Sequence, residues 1–312
     1  MSTKALSKSN KNSLIELMRF LFALWVLYYH SYVPYRTGGW SDGYLAVEFF
    51  FVLTGFYLVR SIDKYRDLPL KQGLSQFLKH RFLPIATPFL INEVFVLYYS
   101  FVINPSPINF FFGFLWYIRD LFIAISLIFI IRKRVKSNKN FHLIIAALSI
   151  FSFSIFSWIP IIAWPGGPLR STAAIPIGML AAIIPKLVPS KKDKKGIISG
   201  IIVALGLVTA SLVCLVIAES DTKTQLIRYI LVVVVYPAML YFASCVRFNN
   251  GFFNWLGAIS FPIYAFQCPL RLLEHYGMNN DTHLFIILMV MVLTYSAITR
   301  IVKCKKNKKI IT

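Results

Sequence analysis

The chain is poor in charge and poorer still in acid: 14% of its 312 residues are charged, with 12 Asp and Glu against 33 Lys and Arg. Cysteine is scarce as well. Cys214, Cys245, Cys268 and Cys304 have no metal-ligand or redox spacing, which argues against a disulfide framework and against a bound metal. No small-residue cleavage site follows the first apolar run, LIELMRFLFALWVLYYHSYV, so it reads as a retained span. Internal repeats of the kind found in many transporters are missing, and no connection is long enough to hold a soluble catalytic domain. What is present is apolar: 57% of residues are hydrophobic and 16% aromatic, too much to be buried in an ordinary soluble core.

The runs are of bilayer length. They predict an all-α polytopic bundle of about ten transmembrane helices, at 14–33, 44–60, 82–103, 109–131, 141–163, 171–188, 196–218, 225–246, 252–273 and 283–302. The longest connection falls near 61–81. Residues 1–312 then form a single integral-membrane domain with short basic tails at 1–13 and 303–312. With the N-terminus placed in the cytoplasm, about 26 of the 33 Lys and Arg fall on cytoplasmic segments and about five outside, among them Arg170 and Arg228. Both termini are therefore expected to be cytoplasmic. The net charge of +21 needs anionic lipid as a partner and no nucleic acid.

Ionisable residues inside the spans carry the chemical content, because a charge in hydrocarbon costs at least about 2.5–3.5 kcal/mol. Arg19 and His30 are eleven positions apart, which returns to within about 20° of one direction on a helix and separates them by about 16 Å along it. That is a stripe crossing most of the bilayer. Glu48, on the returning second span, lies at about the depth of His30, where a carboxylate could fix the imidazole tautomer and leave the other ring nitrogen as a base. A purely structural His–Glu lock is the other reading of the same pair. Lys79, His80 and Arg81 enter the membrane at the depth of Arg19 and would make a cationic mouth, facing head groups or a phosphate ligand.

Glu93, Arg119 and Asp120 lie near mid-bilayer, where Arg119 must choose among those two acids and an anionic ligand. Gln267 lies near the depth of His30 on a span that Pro262 and Pro269 can bend. Trp116 belongs to the aromatic pair before Arg119. Tyr29 belongs to a tyrosine-rich cluster that reads as an interfacial belt, some members of which could stack on a sugar.

Taken in order, the Arg19–His30 spacing, AVEFFFVLTGFYL, KHRFL, LWYIRDL and LGAISFPIYAFQCPL resemble the membrane acyltransferase-3 family over essentially the whole chain. The resemblance implies a ten-helix enzyme, here of a bacterial cytoplasmic membrane, that takes an acyl group from cytoplasmic acyl-CoA, usually acetyl-CoA. It would deliver that group to a hydroxyl of a cell-surface glycan or lipid-linked sugar outside. Arg19, His30, Glu48 and Arg81 match the family's functional positions. Pro84 stands where members commonly have a second Arg, and Gln267 where many have His.

The roles expected are then His30 and Glu48 in catalysis, Arg19, Lys79, Arg81 and Arg119 on acyl-CoA, and Gln267, Trp116 and Tyr29 toward the acceptor. No permanently bound cofactor or metal is expected. Two other functions remain open on the same residues: transport of a small anionic or proton-coupled solute, and a non-catalytic partnership in glycan assembly.

Overall fold

The computed structural model describes residues 12–30, 43–98, 101–102, 116–158, 168–183, 227–246, 248–267 and 281–311. Among these are nine α-helices and no strand: α1 (Ser13–His30), α2 (Tyr44–Ser61), α3 (Leu70–Tyr98), α4 (Trp116–Arg134), α5 (Asn138–Trp158), α6 (Pro168–Ala181), α7 (Tyr236–Cys245), α8 (Gly251–Ala265) and α9 (Asp281–Ile311). Each falls on one of the expected apolar runs. The run at 196–218 lies outside the described residues. The segments Ile227–Cys245 and Phe285–Val302 are long and apolar enough to cross a membrane by length and composition.

Two expected boundaries move. The connection near 61–81 is a 3-10 turn, Ile62–Tyr65, followed by α3 from Leu70, so Lys79 to Arg81 lie within a continuous helix and not at a helix start. The basic segment from 303 is also helical, as a continuation of α9 to Ile311. The α2–α3 connection is fastened to the α4–α5 turn: Arg132 donates to Asp63 (2.6 Å) and Asn138 (2.7 Å), Arg66 donates to the Lys136 carbonyl (2.8 Å), and Lys133 donates to the carbonyls of Arg66 and Leu68. Periodicity cannot see such polar fastening.

Small residues set the closest helix crossings. A Cβ at Gly55 would strike the Ile175 carbonyl oxygen, and one at Gly178 the Val52 carbonyl oxygen, so α2 and α6 touch backbone to backbone. Gly257 gives α8 the same approach to α1 at Glu16. At the start of α1, Ser13 Oγ donates to the Asn254 side chain (3.0 Å) and Asn12 donates to the carbonyls of Ala243 and Val246. These bonds tie α1 to the α7–α8 junction, where Asn250 caps α8 by accepting from the N–H groups of Phe252 and Phe253.

A π turn, Leu231–Val235, precedes α7. Pro237 supplies the cause: it cannot donate a backbone bond, and its ring crowds the carbonyl one turn earlier, so the ladder widens just before it.

The apolar core also encloses charge, and large apolar side chains stand outside it. Glu16, Glu48, Asp120, Arg170 and Arg228 are buried, while Leu83, Leu90, Val94, Ile150, Phe151 and Val290 stand on the outer surface. Such an arrangement is what a bundle facing lipid would need, because only its interior would offer partners for charge.

Candidate functional site

A cavity of about 300 Å³ opens among α1, α2, α3, α4 and α8. Along α2 it runs from Val47 to Tyr57, about 15 Å at the helical rise, so it is elongated along the helix axes. α1 contributes Arg19, Ala23 and Val26. That spacing of four and three continues to His30 four residues later, and α1 is helical as far as His30, so the backbone preserves the register of the stripe. The His30 side chain lies outside the described residues.

Two guanidinium groups reach this cavity, and no carboxylate is among its described lining residues. Arg19 is held by Glu16 (2.8 Å) within α1. Arg81 donates to Ser61 Oγ and lies 5.7 Å from the Phe77 ring centroid. The cationic mouth inferred from the sequence is therefore narrower than expected: Arg81 turns inward, whereas its neighbours Lys79 and His80 are exposed and do not line the cavity. The remaining wall is apolar except for the hydroxyls of Thr54, Tyr57, Tyr117, Ser260 and Tyr264. Positive charge at isolated points in an apolar wall suits a ligand that is anionic in part and uncharged elsewhere.

Beside the cavity lies a second polar centre. Glu48 is buried (3% exposed), and its Oε1 accepts from Arg170 Nε (2.9 Å) and Nη2 (2.8 Å), with Arg228 Nε at 3.7 Å. Arg170 stacks over Trp116, 4.9 Å from the ring centroid. The Tyr236 hydroxyl donates to the Leu45 carbonyl (3.0 Å), and Ser171 Oγ donates to the Asp120 carbonyl (2.9 Å), so α2, α4, α6 and the α7 segment meet here. The sequence counted Arg170 and Arg228 among the outside cations without pairing them with an acid; both are buried partners of Glu48, α6 beginning at Pro168 and the π turn following Arg228 by one short step. The clue available in the sequence was the scarcity of acid: few carboxylates lie in the spans, so each attracts distant arginines.

The other candidates are placed as follows. Arg119 donates to Asp120 Oδ1 (2.8 Å), which makes the adjacent acid one partner of this guanidinium, and Arg119 is not a lining residue of the cavity. Asp120 is fully buried, with Oδ2 lacking a partner among the described residues. Glu93 is half-buried beside Asn92, itself buried. Gln267 is buried, and its Nε2 has no partner among the described residues. Tyr29 sits where α1 meets Gly43, at the entry to α2. Trp116 is under Arg170, a stacking partner within the protein and not an exposed platform.

A family model described as an acyltransferase domain matches residues 12–301. No curated protein and no solved structure matches the chain.

Proposed function

The chain belongs to the acyltransferase-3 family, and from that premise we propose that it is a multi-pass membrane O-acyltransferase with about ten spans and both termini in the cytoplasm. Its donor is acyl-CoA, acetyl-CoA by default, and its acceptor is a hydroxyl of a cell-surface or lipid-linked glycan. The observation that carries this reading is the convergence of Arg19 and Arg81 on an elongated cavity whose described lining lacks a carboxylate. CoA is polyanionic at one end and carries an uncharged thioester arm at the other, which matches that distribution of charge. At about 300 Å³ the cavity is at the lower end for small-molecule sites, room for the arm more than for the whole nucleotide.

In this mechanism the phosphates stay at the mouth with Arg19 and Arg81, and the arm threads along α1 toward His30. His30 takes the proton from the acceptor hydroxyl as its oxygen attacks the thioester carbonyl. The C–S bond breaks and CoA leaves as the thiolate, which collects a proton. Transfer through an acyl-imidazole on His30 would divide the same bond changes into two steps. In this reading the Glu48 carboxylate, whose Oε1 accepts from Arg170, also orients the His30 imidazole. Gln267 is the polar group proposed to hold the acceptor.

The test is acyl transfer by the purified chain in lipid vesicles supplied with labelled acetyl-CoA and a sugar acceptor. Label on the sugar with stoichiometric release of CoA is expected. Uptake of label without thioester cleavage, or neither uptake nor cleavage, would contradict the proposal.

A further inference from the structure

Away from the cavity, a second depression of about 370 Å³ lies between α8 and α9, bordered by Trp255, Leu293, Ser296, Ala297, Arg300 and Ile301. The five α9 residues recur at helical spacing and share one face. Their end of the face is polar: the Trp255 indole N–H donates to Ser296 Oγ (3.2 Å), and the Arg300 guanidinium lies 5.9 Å from the centroid of the Trp255 ring. Among the described residues no carboxylate meets Arg300. The other end is aliphatic.

Arg300 stands at the close of the apolar segment Phe285–Val302, little of which is buried in the protein. Beyond it α9 continues, with Lys303, Lys305, Lys306, Lys308 and Lys309 in the next turns.

We propose that this depression binds one anionic glycerophospholipid of the leaflet that meets the basic end of α9. The phosphate would sit on Arg300 beside Trp255 and Ser296, and the upper part of one acyl chain along Leu293 and Ala297. Indole and guanidinium at the end of an apolar span form the pairing suited to the head-group layer. The lysines that follow raise the local concentration of anionic lipid, each basic residue near such a surface being worth about fivefold in affinity. A free phosphate would leave the aliphatic wall uncovered. A second copy packed here about a two-fold axis would bring its own Arg300 and lysines against these, like charge on like. The inference rests on α9 crossing a bilayer and not on any catalytic role.

Native mass spectrometry of the full chain in mild detergent, titrated with phosphatidylglycerol or with phosphatidylcholine of the same acyl chains, tests it. One phosphatidylglycerol is expected to bind selectively. Arg300→Gln should weaken that binding about fivefold or more, while Arg134→Gln, which removes an exposed cation from the end of α4, leaves it unchanged. Equal retention of the two lipids, an equal loss in Arg134→Gln, displacement by inorganic phosphate, or a lipid-independent dimer through this face would each overturn it.

Discussion

His30→Ala is expected to lower acetyl transfer by about 10²- to 10⁴-fold, the range over which a positioned general base contributes to rate. The variant should still insert and should unfold at the same temperature as the parent. The reason is positional: Arg19, Ala23 and Val26 face the cavity, and α1 keeps its register to His30, the titrating residue that completes that stripe. Turnover measured at saturating acetyl-CoA isolates the chemical step from donor binding. Near-normal turnover in His30→Ala would remove this residue from the mechanism. Rescue by added imidazole would place the missing group at the proton-transfer step.

Glu48→Gln is expected to destabilise the protein by about 3–5 kcal/mol, the usual cost of removing one member of a buried ion pair. The carboxylate is shared by two buried guanidiniums, so its loss leaves Arg170 and Arg228 facing each other without the charge between them. Arg170→Met should cost less, because Arg228 remains near the acid. The double variant Glu48→Gln/Arg170→Met should be more stable than the sum of the two single losses predicts, a coupling that thermal unfolding in detergent measures. Strict additivity would deny that the pair acts as a unit. Where the double variant regains stability, its activity separates the two roles of Glu48: continued inactivity assigns the carboxylate to the chemistry as well as to the fold.

The described helices were legible in the sequence because each overlaps a long apolar run, the strongest local signal this chain carries. Their ends were less so. Leu70 to Arg81 reads as a loop by hydropathy since its helix is amphipathic and basic, yet the fastening of Asp63, Arg66 and Lys133 holds it in place and presents Arg81 to the cavity.

The shared face of Arg19, Ala23 and Val26 follows from sequence spacing, since a single helix fixes its own angular positions. Partners between helices do not. Depth matching pointed Glu48 at His30, whose side chain lies outside the described residues, but gave no sign of the ion pairs of Glu48 with Arg170 and Arg228, 122 and 180 positions away in the chain. Nothing local announces such a contact. It depends on the Gly55–Gly178 crossing that draws α6 against α2, and on the π turn that sets the face of the segment before Pro237. Arg119 is the easier case: of the partners the sequence offered it, Asp120, the adjacent residue, is one it bonds.

Equilibrium binding of CoA to the purified protein and to Arg81→Gln reaches the central claim most directly, since it asks only whether the cationic mouth holds a polyanion. A charge-assisted hydrogen bond to a phosphate contributes about 1.5–3 kcal/mol, so the variant should bind CoA about 10- to 100-fold more weakly, while the Gln amide keeps a donor for Ser61. The loss should shrink as salt is raised. Undiminished CoA affinity in Arg81→Gln, at low and high salt alike, would contradict the assignment of this cavity to the acyl donor.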